Sequence, residues 1–400
     1  MTYRGSIRWL IAAVSVVFGA ACLGADVQYP DHNGDVVDTV MFRSVDAGGG
    51  HACGIVEGDV AYCWGNNSVG QLGSDNLLSY AVPKKVAQGD LGLAQVSAGV
   101  LNSCAVTVDQ DVYCWGHNQY GQVGSGTAEL TPVTSPSKVL GGHQFTTVSA
   151  GGVHVCGLVN DGEAWCWGLA GPGLLGNGSL GDDTWSAIPV SVLTAERFRV
   201  ISAAASHTCG LTASGEAYCW GENLRGQLGN GTTTNSAVPV QVVGGVLFQE
   251  IDAGYEHTCA LDLEGSAFCW GWGYFGQLGS GAGVSSSTPL MVSGGLTFRA
   301  ITAGASYTCA IDTSSAAHCW GLNDDGRLGD GSMTLRSEPT AVSGNLQFDT
   351  ISAGEGGSNT ATCGFTQDNL VYCWGHGQEG QLGTGLPSSS SVPVPVTGQG

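Results

Sequence analysis

Residues 198–229 read FRVISAAASHTCGLTASGEAYCWGENLRGQLG. Cys209 and Cys219 stand symmetrically about Ser214, so a hairpin with the three-residue loop Ala213-Ser214-Gly215 places them directly opposite each other. Opposed residues of an antiparallel pair lie about 4.5–5.5 Å apart at Cα, within reach of a disulfide. Gly215 suits the left-handed last position of such a loop. Alternation of β-branched and aromatic residues with small polar ones makes Phe198–Ala204, His207–Leu211 and Ala217–Gly221 read as strands. The stretch shows no 3.6-residue period.

Working outward, the same pattern recurs along the chain. Cys53 pairs with Cys63, Cys104 with Cys114, Cys156 with Cys166, Cys209 with Cys219, Cys259 with Cys269, Cys309 with Cys319 and Cys363 with Cys373. Every pair is C-x9-C and is followed by Trp-Gly. Successive Cys-Trp steps are 51, 52, 53, 50, 50 and 54 residues apart. Seven copies of a unit of about 52 residues, each with about four short strands, predict an all-β, seven-bladed β-propeller over residues 39–400. Gly162, Gly265 and Asn369 fit the last loop position as Gly215 does; Gln110 and Ser315 fit it poorly. Each Trp, on the opposite sheet face from its cysteine, is expected to fill the gap to the next blade. The Gly that follows is expected to let backbone approach closely, and the G-Q-L-G turns read as structural punctuation.

A second reading of the cysteines is a metal site, because H-x-C-x9-C offers three zinc ligands. His occupies that place as His51, His154, His207 and His257, whereas Asn102, Tyr307 and Ala361 replace it elsewhere. The cysteine pairs never vary, which favours seven disulfides and no metal. Each closes a loop worth roughly 2–3 kcal/mol by chain entropy.

The unit I-S-A-G-x-x-H-T-C-A-L-x-x-x-G-x-A-Y-C-W-G-x-N-x-x-G-Q-L-G resembles the regulator of chromosome condensation repeat over residues ~40–397. The resemblance implies a seven-bladed propeller. Nuclear members of the family are guanine-nucleotide exchange factors that bind chromatin, and secreted bacterial ones include β-lactamase inhibitors. This sequence departs from the nuclear members in its cysteine pairs and in having no basic tail. Ala204 replaces the usual Gly of the A-G step, and Leu174 and Arg327 replace Gln in two turns.

The first 25 residues read as a secretory signal: Arg4 and Arg8, then an apolar run from Trp9 to Phe18, then small residues. Cleavage after Ala25 would give a soluble exported chain; cleavage before Cys22 would give a lipoprotein with the lipid on that sulfur. Residues 26–38 read as an acidic tether. Twelve Lys and Arg against 33 Asp and Glu give −21, which excludes the basic stripe a nucleic-acid partner needs.

Function is expected in the loops that differ between copies. Trp272, Tyr274 and Phe275, with Tyr120, are the candidate binding anchors. Two insertions, Leu180–Trp185 and Glu355–Thr360, are candidate specificity loops. No catalytic motif, cofactor signature or calcium loop is present, although Asp182-Asp183 and Asp324-Asp325 are paired carboxylates. The expectation is an exported or surface-anchored scaffold that binds a protein partner, with contact to a membrane only through an N-terminal lipid. The alternative is an extracellular lyase or hydrolase, which a pocket lined by a His and two carboxylates would favour.

Overall fold

The computed structural model describes residues 39–399 except 182, 183 and 358, with the backbone of Tyr29–Pro30 and Val36–Val37 forming a short antiparallel bridge. The expected signal segment with Cys22, most of the expected tether, and the Asp182-Asp183 pair lie outside these residues. Seven sheets of four antiparallel strands follow one another along the chain, each built from four consecutive strands in sequential order. The first strands, Phe42–Ala47, Leu93–Ala98, Phe145–Ala150, Phe198–Ala203, Phe248–Ala253, Phe298–Ala303 and Phe348–Ala353, surround the central axis. The expected seven-bladed propeller is the observed fold.

All seven C-x9-C pairs are disulfides. Cys53 is bonded to Cys63, Cys104 to Cys114 and Cys156 to Cys166 in the first three blades. Cys209 is bonded to Cys219, Cys259 to Cys269, Cys309 to Cys319 and Cys363 to Cys373 in the remaining four. Every bridge joins register partners on the second and third strands of its blade. Here the structure corrects the expected spacing. The Cα separations of 4.0–4.1 Å are shorter than the 4.5–5.5 Å anticipated, nearest the narrow, non-hydrogen-bonded type of antiparallel pair. The bridges do not tie blade to blade, yet they sit between blades. Cys209 and Cys219, with Leu211 and Leu228, share a core with Phe248, Ile251 and Trp270 of the following blade.

Each buried Trp indole donates to a backbone carbonyl in the G-Q-L-G turn of the preceding blade: Trp115 to Gln71, Trp167 to Gln122, Trp220 to Leu174, Trp270 to Gln227, Trp320 to Gln277 and Trp374 to Arg327, at 2.9–3.0 Å. Trp64 closes the series on Gln381. A main-chain acceptor explains why Leu174 and Arg327 substitute for Gln without breaking the pattern. Glycine after Trp is required twice over: Gly221 has φ 106°, and a Cβ there would lie 2.9 Å from the His207 Cα.

With the sulfurs bridged, the histidines knit neighbouring blades. His51, His154, His207 and His257 place Nε2 2.7–2.9 Å from Ser103, Thr208, Thr258 and Thr308 of the next blade. Thr258 Oγ1 donates to Gln227 O, so the His207 proton sits on Nε2, facing that oxygen. Burial holds these rings neutral, lowering His51 and His154 to about 4 and His207 and His257 to about 3.

The ring closes without a shared blade. Val40 donates to Gly398 O at 2.8 Å and pairs in parallel with Gln399, and the seam repeats the contacts of the other interfaces.

Candidate interaction face

Two sets of loops leave the same ends of the strands. In every blade the residue after Trp-Gly donates its amide to the loop joining the first two strands: Asn66 to Gly50, His117 to Leu101, Leu169 to Val153, Glu222 to Ser206, Trp272 to Glu256, Leu322 to Ser306 and His376 to Thr360. The variable loops therefore form a ring around one mouth of the central channel.

Blade five carries the apolar part of this face. Trp272 stacks on Tyr274 with centroids 6.5 Å apart, and Phe275 meets both edge-on at 5.1 and 5.2 Å. Tyr274 is 69% exposed, and Leu224 (64%) and Tyr255 (40%) extend the exposed apolar surface onto adjoining loops. Arg225 lies over the Trp272 ring at 5.4 Å and pairs with Glu256 at 3.6 Å. The structure thus brings three of the four candidate anchors together. Tyr120 stands apart in blade two, where its ring meets His117. The sequence reading placed Leu224 and Arg225 in a variable loop without marking them as anchors, and it missed Tyr255, which lies on the loop between the first two strands of blade five.

Of the two insertions, Glu355–Thr360 is tied down. Arg327, fully buried, reaches Gly357 O, Thr360 Oγ1 and the Asp325 carboxylate, and lies 5.8 Å from the Tyr307 ring. The arginine that breaks the G-Q-L-G pattern is long enough to span the longer loop. Beside it, Gly356, Asn359 and Glu379 line a groove of about 160 Å³ at the seam with blades one and two. In the other insertion, Trp185 is half exposed at the start of an outer strand.

The channel mouth carries a second ring that the sequence reading treated only as strand. Asp46, Ser97, Ser149, Ser202, Asp252, Thr302 and Ser352 hold one position in successive blades, each accepting an amide from the following blade. Ala98 donates to Asp46 Oδ2 at 2.8 Å and Ala303 to Asp252 Oδ2 at 2.8 Å. Ser352 and Ser202 donate to the other carboxylate oxygens at 2.7 and 2.8 Å. Glu355 joins Asp46 and Asp252 around a cavity of about 90 Å³. Burial raises all three carboxyls: Asp252 to about 6 despite its hydrogen bonds, Asp46 above its ordinary value, and Glu355 well above, helped by the other two charges. Among the described residues no three His, Cys, Asp or Glu side chains are placed to hold a metal ion.

The regulator of chromosome condensation (RCC1) repeat profile matches residues 58–106, 109–158, 214–261, 264–311 and 368–400, more than half of the chain, and a second profile of the same repeat matches within 42–277. The chain belongs to the regulator of chromosome condensation repeat family. It is 32% identical over 199 residues to a human protein named probable E3 ubiquitin-protein ligase HERC6, covering 48% of this chain and 19% of that one. It is 33% identical over 196 residues to the ultraviolet-B receptor UVR8 of Arabidopsis thaliana, covering 48% and 43%. The chain therefore spans less than half the length of these curated relatives. Among solved structures it resembles Prp20p of Saccharomyces cerevisiae, whose binding to Gsp1p and histones has been described, with TM-score 0.73, 21% identity, and coverage of 89% and 87%. At that identity the likeness shows the fold alone.

Proposed function

We propose that this propeller is an exported binding module that captures a protein partner on its loop face, with Trp272, Tyr274 and Phe275 as the anchors and Tyr120 as an outlying contact. The observation that carries the reading is the stacked, partly exposed trio of blade five, continued by Leu224 and Tyr255. Rigid aromatics with few rotatable bonds dominate binding energy at interfaces, and scattered exposed apolar residues do not form stacks. Glu256 and Asp325 on the same loop face are already paired with Arg225 and Arg327, so the feature the partner must match at this site is its apolar centre.

Seven disulfides support export, because such bonds persist in oxidising compartments. The N-terminal signal reading supports the same destination, and the intact mass of the mature chain distinguishes release after Ala25 from a lipid-bearing Cys22. A histidine beside two carboxylates, the lining that the lyase or hydrolase alternative calls for, is not what the described residues of the groove and the channel mouth present.

Replacing Trp272, Tyr274 and Phe275 together with Ala is expected to weaken partner binding by at least about tenfold and to shift the thermal midpoint by only a few degrees, since all three side chains reach the surface. Loss of folding would assign them to the core and end this reading.

A further inference from the structure

We infer that the channel mouth is an acidic throat that receives a primary ammonium group, a lysine side chain or free N-terminus, presented by the protein bound on the loop face. The inference rests on the protein-binding reading and adds the chemistry of the partner.

Three observations carry it. First, Asp46, Asp252 and Glu355 converge on one cavity, and among the described residues no Lys, Arg or His lines it; its other polar lining is hydroxyl and backbone. Second, Glu355 Oε2 is withdrawn from solvent and has no hydrogen-bond partner. A buried acceptor left without a donor costs free energy that an incoming N–H would recover. Third, the donors that the two aspartates receive are all neutral backbone amides and hydroxyls, Ala98 and Ser352 on Asp46 and Ala303 and Ser202 on Asp252 among them, so among the described residues no cation within the cavity balances either charge.

The cavity's dimensions select the ligand. A single water needs about 10–15 Å³ of such space; the cavity of about 90 Å³ admits an ammonium head and the start of its stem. The carboxylates are not placed to ligate a metal ion together, whereas an ammonium has three donors that can address separate oxygens. The site lies at the centre of the loop face, because Glu355 belongs to a loop between first and second strands, the loop series to which the ring of variable residues is bonded. Arg327 ties down the C-terminal part of that loop through Gly357 and Thr360.

The throat is also pH-dependent. Asp46, Asp252 and Glu355 shed charge when no cation faces them, and an ammonium requires them ionised. Glu250, on the same strand as Asp252 and raised to about 7 by burial, adds to the negative field, and Arg299 opposes it. Affinity therefore rises with pH across the range around 6 in which Asp252 ionises.

The test uses n-butylammonium as probe and n-butanol as the uncharged control, with binding to the folded mature chain followed by the amide resonances of Ala98 and Ala303. Saturable binding that shifts these two amides, weakens about tenfold or more in Glu355→Gln, and is stronger at pH 7.5 than at pH 5 supports the throat. Glu355 lies outside the ring of inter-blade hydrogen bonds, so this variant leaves the fold intact; Asp252→Asn is the second variant. Absence of saturable binding, equal response to n-butanol, or unchanged affinity in both variants overturns the proposal. Calcium shifting the same amides at lower concentration would overturn it in favour of a metal ion. The Trp272, Tyr274 and Phe275 variant should bind the amine normally. A partner captured undiminished by the throat variants but lost by the aromatic one would refute the throat's role and leave the binding face standing.

Discussion

Gln110 and Ser315 show how far a residue can be pushed by its neighbours. Both occupy the last loop position of their hairpins at φ 66° and 69°, where Gly162, Gly215 and Gly265 sit at 82–89°. The sequence predicted a poor fit, and the structure shows that the loop keeps its shape regardless, because the disulfide below it and the amide of the next blade's Phe145 or Phe348 above it fix the backbone. A non-glycine residue pays roughly 1–2 kcal/mol there. Gln110→Gly gives up only an exposed pair of amide hydrogen bonds with Asn160 and is therefore expected to stabilise the protein by at most about 0.5 kcal/mol after the added freedom of the unfolded chain is counted, measured by denaturant unfolding. Ser315→Gly should bring no such gain, since its hydroxyl accepts from Arg299 and Gln367. At this scale the structural roles of the Gly after Trp and of the Trp itself were legible. Arg327 and Glu355 were not, because their roles depend on a loop length in one blade and a partner in the next.

The hairpin of second and third strands is the element on which the repeat is built, and its spacing alone specified register, loop and crosslink. Reagent titration of the denatured, unreduced protein should find fewer than two free thiols, as all fourteen paired cysteines are bridged. Replacing Cys209 and Cys219 together with Ala should cost roughly 2–4 kcal/mol. Part of that loss is packing, because the sulfurs touch the next blade's core. Trp220→Phe should cost about 1–3 kcal/mol by leaving Leu174 O without its donor. The fourth strands were harder to read. Their register shifts between the positions facing Cys219 and Gly221, so strict alternation, the signal used for the inner strands, fails there.

Across the whole disc, two sets of buried groups pull stability in opposite directions as pH changes. The four histidines have folded values below the unfolded 6.5, so the stability of keeping them neutral is present above pH 6.5 and is lost as pH falls toward 4. Asp252 and Glu250 have raised folded values, about 6 and 7, so their contribution is present below about pH 4 and is lost as pH rises through those values. Asp252→Asn should consequently compare most favourably with the parent at pH 7 and lose that advantage at pH 4. His207→Gln should compare most favourably at acidic pH. Unfolding measured across pH 4–8 checks both signs. The global architecture was readable because one unit is repeated, and repetition averages out local ambiguity. The site was readable only in part: the aromatic trio announces itself by residue type, whereas the throat is assembled from Asp46, Asp252 and Glu355, which come from three blades far apart along the chain. Its ring position carries a hydroxyl or carboxyl in every copy, a pattern that gains meaning only when the copies are set in a circle.

The seam between blades one and seven has a practical corollary. Because Val40 and Gln399 lie side by side and, among the described residues, no strand crosses from one blade to another, a short linker between them and a new opening at the exposed Gly244–Gly245 turn would produce a circular permutant. Such a rearranged chain should retain the same disc, with any of the seven modules free to come first.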